Sequence, residues 1–320
     1  MQDIFTKLST IGLIPVIKIE TPEHAVPLGK ALIAGGIPVA EITFRTSAAE
    51  ETIRRLRNEV PELLVGAGTV INPALAEKAL NAGAQFIVSP GFNLATVDWC
   101  MEHKIPVIPG TNSPSQIEEG LAKGLNTFKF FPAENSGGAG MIKALSAPFD
   151  SVRFVPTGGI DTTNLADYAR LDSVLAIGGS WMVRSDLIQN ERWDVIQNLC
   201  MEARFAIQGF SFAHLGINQN DEHEASSTAN LLAAFGFPLK PGKSSIFAGT
   251  SFEIMKSMFR GTRGHIGISC YNVERALLYL EAFGFKGVKE TATQEKGLLK
   301  VIYLDKEIGG FAVHLVKTAS

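Results

Sequence analysis

Lys129 stands in an aromatic run, Thr127-Phe128-Lys129-Phe130-Phe131, preceded by a turn at Gly124 and closed by Pro132. Burial in such a strand disfavours an ammonium. An amine held neutral is a nucleophile that can condense with a ketone or aldehyde to an imine. The plainer reading is a strand-end lysine that carries its charge to water on an aliphatic stem. A second chemically capable group is Glu41-Ile42-Thr43-Phe44-Arg45. Two-residue periodicity places Glu41, Thr43 and Arg45 on one strand face, and likewise Thr127, Lys129 and Phe131. A carboxylate can move protons, and a guanidinium can grip a substrate carboxylate with two parallel hydrogen bonds. The competing role for Glu41 and Arg45, an i, i+4 surface ion pair, needs a helix rather than a strand. Two glycine pairs complete the set: Gly158-Gly159, and Gly178-Gly179 followed by Ser180. Glycine lets backbone N–H groups approach an anion such as phosphate, although tight turns needing positive φ are an alternative use.

These residues need a scaffold that brings distant strands together. Up to about Phe205, short apolar strands alternate with amphipathic stretches. The strands are expected at Ile14–Ile19, Val39–Phe44, Leu63–Ala67, Phe86–Ser89, Pro106–Pro109, Thr127–Phe131, Arg153–Pro156 and Val174–Ile177. Helices are expected between them, among others at Ala48–Glu59, Pro73–Asn81, Leu94–His103, Ser115–Lys123 and Asn164–Ala169. Eight strand–helix units with little loop to spare predict an α/β fold, a (β/α)8 barrel. An open doubly wound sheet would usually carry a glycine fingerprint after its first strand, and Glu20-Thr21-Pro22-Glu23-His24 has none. In a barrel the C-terminal strand ends carry the chemistry, and here those ends hold Glu41 to Arg45, Thr69, Lys129 and both glycine pairs.

With 320 residues, 46% hydrophobic and 19% charged, the chain is an ordinary globular protein large enough for a barrel plus a second domain. A net charge of -3 gives no sign of a nucleic-acid or membrane-surface partner. Cys100, Cys200 and Cys270 lie far apart without a CxxC pair, which suits reduced thiols and a cytoplasmic location. The apolar run Ile11–Ile17 is interrupted by Gly12 and Pro15, too short to span a bilayer and unlike a signal peptide.

Five segments then resemble one family: Glu41-Ile42-Thr43-Phe44-Arg45-Thr46, Gly66-Ala67-Gly68-Thr69-Val70, Phe128-Lys129-Phe130-Phe131-Pro132-Ala133-Glu134, Pro156-Thr157-Gly158-Gly159-Ile160 and Ile177-Gly178-Gly179-Ser180-Trp181. They are similar, in this order, to the motifs of 2-keto-3-deoxy-6-phosphogluconate (KDPG) aldolases, some of which also cleave 4-hydroxy-2-oxoglutarate (KHG). The resemblance covers residues 1–205. It implies a homotrimeric class I aldolase acting on small 2-keto acids, with no metal and no organic cofactor. It implies Lys129 as the Schiff-base lysine and Glu41 as the proton-transferring carboxylate. Arg45 and Thr69 would hold the pyruvate carboxylate, and Gly158, Gly159, Gly179 and Ser180 would face the phosphate. A barrel isomerase using only acid–base chemistry is the competing reading, and it leaves Lys129 without a role.

Residues 210–320 carry an internal repeat. His214-Leu215-Gly216-Ile217-Asn218 leads through a helical stretch to Phe235-Gly236-Phe237, and His265-Ile266-Gly267-Ile268-Ser269 leads similarly to Phe283-Gly284-Phe285. Strands are expected at Ser245–Ala248 and Phe252–Lys256 in the first copy, and at Leu299–Leu304 and Gly310–Val316 in the second. Two βαβββ modules follow, each too small to bury a core alone. This pattern resembles the glyoxalase / vicinal oxygen chelate superfamily. In that superfamily's metal-binding members the ligand places match His214, Glu253, His265 and His314. The shortened first module and the many relatives without metal favour a metal-free binding or scaffolding module, so no metal is assigned. A metal-dependent second activity and a ligand-sensing or oligomer-forming module are the alternatives.

Overall fold

The computed structural model describes residues 4–295 and 297–318. It divides between Ile207 and Gln208 into two compact units. In the first, helix α1 (Ile4–Ile11) leads into β1 (Leu13–Ile17), and strands then alternate with helices. The order is α2 (Ala25–Ala34), β2 (Val39–Thr43), α3 (Ala49–Glu59), β3 (Leu64–Gly68), α4 (Pro73–Ala82), β4 (Phe86–Val88) and α5 (Leu94–Glu102). The fifth strand position is split into β5 (Val107–Ile108) and β6 (Gly110–Thr111), followed by α6 (Pro114–Ala122), β7 (Thr127–Phe130), α7 (Gly138–Ser146) and β8 (Arg153–Pro156). The unit ends with α8 (Leu165–Ala169), β9 (Ile177–Gly179), α9 (Ser185–Gln189) and α10 (Trp193–Ala206).

All named pairings in this unit are parallel. One sheet runs β5-β4-β3-β2-β1-β9 and another β6-β7-β8. Bridges Phe154↔Val174 and Thr157↔Gly178 join β8 to β9, and the Lys129 N–H bonds the Pro109 carbonyl across the split strand. The sheet therefore closes into a (β/α)8 barrel. Proline has no N–H to give a ladder, which accounts for the break in the fifth strand at Pro109. The last strand lies three residues later than its apolar composition suggests, at Ile177–Gly179 rather than Val174–Ile177. Gly178 and Gly179 are strand residues paired with Ile14 and Pro15, not only a turn.

The helices follow local rules. In α4, Pro73 opens the helix, the Asn72 side chain accepts from the Leu75 N–H at 2.9 Å, and Gly83 closes it at φ 98°. In α3, Ala49, Thr52, Ile53 and Leu56 form the buried stripe while Glu50, Glu51, Arg54 and Arg55 pair on the outer face. With helices outside and side chains filling the centre, β7 is buried along its whole length, Lys129 included.

Among the described residues the second unit is one eight-stranded sheet with two α-helices. Its first module comprises β10 (Ser211–Ile217), α11 (Glu222–Ala233), β11 (Leu239–Pro241), β12 (Ser245–Ala248) and β13 (Phe252–Met255). The second comprises β14 (Gly264–Cys270), α12 (Val273–Glu281), β15 (Thr293–Glu295), β16 (Leu298–Ile308) and β17 (Phe311–Lys317). Both copies have the expected βαβββ order. In each, the first strand pairs in parallel with the last, β10 with β13 and β14 with β17. The antiparallel β10–β14 pair joins the modules at the centre of the sheet. Each helix covers its own cluster, Ala225, Ala229, Ile246 and Ile254 in one and Val273, Ala276, Leu304 and Leu315 among others in the second.

Because α10 packs Ile196, Cys200 and Ala203 into the first unit, a chain ending at Ile207 retains its complete set of elements. Such a chain is expected to unfold in one cooperative thermal transition followed by circular dichroism. A broad, non-cooperative melt would contradict the division at Ile207.

Candidate active site

At the C-terminal ends of the barrel strands lies a cavity of about 300 Å³. Lys129 from β7 and Glu41 from β2 meet in its wall. Lys129 Nζ donates to Glu41 Oε1 at 3.2 Å, with the two side chains only 7% and 2% exposed. Neither charge could be buried here without the other, since a lone buried ion loses its hydration without compensation. On β3, Gly68 makes room for this carboxylate and Gly66 for a neighbouring ring. A Cβ at Gly68, which pairs with Thr43 on β2, would strike Glu41 Oε1, and one at Gly66, opposite Glu41, would strike the Phe86 ring. Phe131 covers the amine, its ring centroid 5.4 Å from Nζ.

Further along β2 the same parity delivers the next groups. The Thr43 hydroxyl donates to the Ile17 carbonyl at 2.7 Å and accepts from Arg45 Nε at 3.1 Å. Arg45 is thus aimed through a buried threonine, leaving its terminal nitrogens open among the described residues to grip a carboxylate in a fork. Thr69 lines the same cavity at φ 57°, a left-handed conformation that a β-branched residue adopts only under constraint. Across from these, Gly158 and Gly159 sit at φ 103° and 77°, and both line the cavity with Gly179 and Ser180. The N–H groups of Gly159 and Ile160 have no partner among the described residues, which leaves two donors for an anion.

The site therefore combines a buried amine, a carboxylate on it, a cation for a second carboxylate and donors for a separate anion. The sequence model described as "Aldolase: KDPG and KHG aldolase" matches residues 4–199, more than half of the chain. The chain belongs to the KDPG and KHG aldolase family. It is 50% identical over 188 residues to 2-dehydro-3-deoxy-phosphogluconate aldolase of Treponema pallidum (strain Nichols), covering 59% of this chain and 90% of that protein. It is 47% identical over 196 residues to KHG/KDPG aldolase of Escherichia coli (strain K12), covering 61% of this chain and 92% of that protein. Among solved structures it resembles a KDPG aldolase from Legionella pneumophila, in which pyruvate is captured as a covalent carbinolamine intermediate. That likeness has TM-score 0.61 and 43% identity and covers 63% of this chain and 99% of that one. The protein is accordingly a carbon–carbon lyase with the aldolase barrel.

The aldolase cavity is lined by the eight barrel residues to which the family resemblance gave roles, Lys129, Glu41, Arg45, Thr69, Gly158, Gly159, Gly179 and Ser180, but not by Gly178. Thr127, expected to share the Lys129 face, is buried outside the cavity lining and bonds Asn126. Sequence reasoning gave Thr43 and Thr157 no individual role, yet both line the cavity. For Thr43 the signal was present, since it lies between Glu41 and Arg45 on their strand face. Thr157 had only its place at a strand end.

The second unit of the aldolase chain brings together the other four residues. His214 Nε2 lies 3.1 Å from His265 Nε2 and 3.2 Å from His314 Nε2, and Glu253 Oε2 lies 3.1 Å from His265 Nε2 and 3.5 Å from His214 Nε2. The three imidazole ligand atoms all fall within 4.8 Å of one another. Glycines again clear the space: a Cβ at Gly216 would strike the His265 ring, and one at Gly267 would sit 2.7 Å from His214 and 2.9 Å from His314. Burial first, then the charges of His214 and His265, push the His314 pKa down to about 4, and burial also lowers that of His214. Burial pushes Glu253 upward, but hydrogen bonds from His265 and Ser245 outweigh it and its pKa is lowered. These are the protonation states that metal ligands require.

The donor set fits a divalent ion. Metal–nitrogen bonds of about 2.0–2.1 Å at a tetrahedral centre separate neighbouring donors by about 3.3 Å, close to the spacing found. Hydrogen bonds from His314 to His214 and from His265 to Glu253 would still leave the 3.1 Å contact between His214 Nε2 and His265 Nε2 without a shared proton, whereas one ion could bind both nitrogens. The Nδ1 atoms of His265 and His314 are buried without partners among the described residues, so the usual outer acceptors are missing. Tyr303, stacked on His314 at 4.8 Å and 24°, holds that ring instead.

Gly68→Ala isolates the placement of Glu41. The added methyl displaces the carboxylate from Lys129, and kcat is expected to fall about 10²-fold or more, the scale of losing a positioned acid–base group. Wild-type turnover in this variant would show that the Lys129–Glu41 contact is dispensable.

Proposed function

We propose that the barrel cleaves KDPG to pyruvate and glyceraldehyde 3-phosphate, and KHG to pyruvate and glyoxylate, through an imine on Lys129. The observation that carries this reading is the buried contact of Lys129 Nζ with Glu41 Oε1 in the cavity wall. Transfer of a proton within this pair frees the amine lone pair for attack on the C2 ketone. The carbinolamine then loses water to give a protonated imine. That cation accepts the electron pair of the C3–C4 bond when the C4 hydroxyl loses its proton to Glu41, directly or through a water. The aldehyde leaves, Glu41 returns a proton to C3 of the enamine, and hydrolysis releases pyruvate and restores the amine. Arg45 and Thr69 bind the C1 carboxylate, with Thr43 fixing Arg45. Gly158, Gly159, Gly179 and Ser180 receive the phosphate of the longer substrate.

This reading makes the barrel independent of metals and of organic cofactors. We infer a homotrimer from the family resemblance and a cytoplasmic location from the three widely separated cysteines. Among the described residues no helix is long and apolar enough to cross a membrane. Lys129→Ala is expected to abolish cleavage of both substrates, whereas Glu41→Gln should retain imine formation and lower kcat about 10²–10⁴-fold. Measurable cleavage by Lys129→Ala at the wild-type rate would overturn the imine.

The second unit supports a separate reading, favoured by the convergence of three Nε2 atoms and a carboxylate. We propose that His214, His265, His314 and Glu253 hold zinc or another first-row divalent ion, in place of the metal-free module that the sequence favours. Such an ion would supply a Lewis acid or a structural tie. Metal analysis after dialysis against zinc is expected to find close to one equivalent in the whole chain and a strong loss in His265→Ala. Chelation should leave KDPG cleavage unchanged, while equal metal content in both proteins would remove this site.

A further inference from the structure

The segment after β7 is stitched to the glycine loop after β8. The Ala133 N–H donates to the Thr157 carbonyl at 2.8 Å, and the Glu134 N–H to the Gly158 carbonyl at 3.1 Å. Asn164 Nδ2 holds the Gly159 carbonyl at 2.9 Å. With both glycine carbonyls held, the Gly159 and Ile160 N–H groups are the donors left open. Glu134 lies against this loop: a Cβ at Gly159 would sit 2.8 Å from Glu134 Cβ and Cγ. The Glu134 side chain is solvent-exposed, and its carboxylate carries a charge of the wrong sign to stand beside a phosphate site. One contact fixes it. The hydroxyl of Tyr168, a fully buried residue of α8, donates to Glu134 Oε1. Burial first, and then the Glu134 carboxylate, push the Tyr168 pKa upward, so the phenol remains a donor near neutral pH.

We propose that Tyr168 is a positioning residue for phosphate recognition: its hydroxyl holds the Glu134 carboxylate beside Gly138, outside the cavity lining, and so keeps that negative charge from the phosphate. The proposal rests on the reading of the glycine loops as the phosphate site. Neither Tyr168 nor Glu134 lines the cavity, so neither touches the reacting carbons. Loss of the tether releases an anionic side chain beside the loop, and this burdens only a substrate that carries a phosphate. KHG has no such group and reports on everything else in the site.

The test compares KM and kcat for KDPG and KHG in the whole protein. Tyr168→Phe keeps the buried ring and removes only the hydroxyl. It should raise KM for KDPG about 3–10-fold, the scale of one hydrogen bond, with kcat for KDPG and both constants for KHG unchanged. Adding Glu134→Gln to that variant removes the released charge and should restore most of the KDPG affinity. An unchanged KM for KDPG, an equal rise for both substrates, or no recovery in the double variant would each overturn the role of Tyr168. The underlying reading is checked separately on the unmodified protein, where inorganic phosphate should compete with KDPG and not with KHG. Without that competition the phosphate site itself falls, and the proposal with it.

Discussion

The structure of the barrel turns on burying an amine and a carboxylate together, in residues 88 positions apart in the chain. Removing one partner of such a pair typically costs about 3–5 kcal/mol, because the other is left charged in a poorly solvating place. Lys129 and Glu41 can meet only if β2 and β7 stand in the wall of one closed sheet at matching heights. The parallel register, the closure through β8 and β9, and the glycine at 68 all serve that requirement. The pair that makes the site chemically able is thus also a constraint on how the sheet closes.

The two units use the same steric device for different chemistry. In the barrel, Gly68 yields its side-chain space to the Glu41 carboxylate; in the second unit, Gly216 and Gly267 yield theirs to three imidazoles. A strand neighbour without a Cβ lets a polar side chain lie across the sheet face at close range. Each glycine forgoes packing of its own, and the space goes to a functional group.

Much of this was legible in the residues. Barrel strands such as Val39–Thr43 and Arg153–Pro156 read as apolar runs because helices cover one face and the barrel core the other. Ile177–Gly179 was misplaced because glycines give no apolar signal, and the break at Pro109 lay at the edge of an expected strand rather than inside one. The strand parity of Glu41, Thr43 and Arg45 held, but the direct contact of Glu41 with Lys129 depends on closure of the barrel. No local pattern encodes that. The βαβββ repeat announced the cross-strand positions of His214 and His265. Whether their nitrogens converge depends on ring rotamers and on the Gly267 gap, which sequence spacing does not reveal.

The most direct test of the account is where pyruvate becomes attached. Incubating the unmodified protein with pyruvate and sodium borohydride reduces any imine to a stable secondary amine, and peptide mass spectrometry then locates it. The account predicts a single Nε-(1-carboxyethyl) adduct on Lys129, lost in Lys129→Ala. An adduct on another lysine, or none while cleavage proceeds, would contradict it.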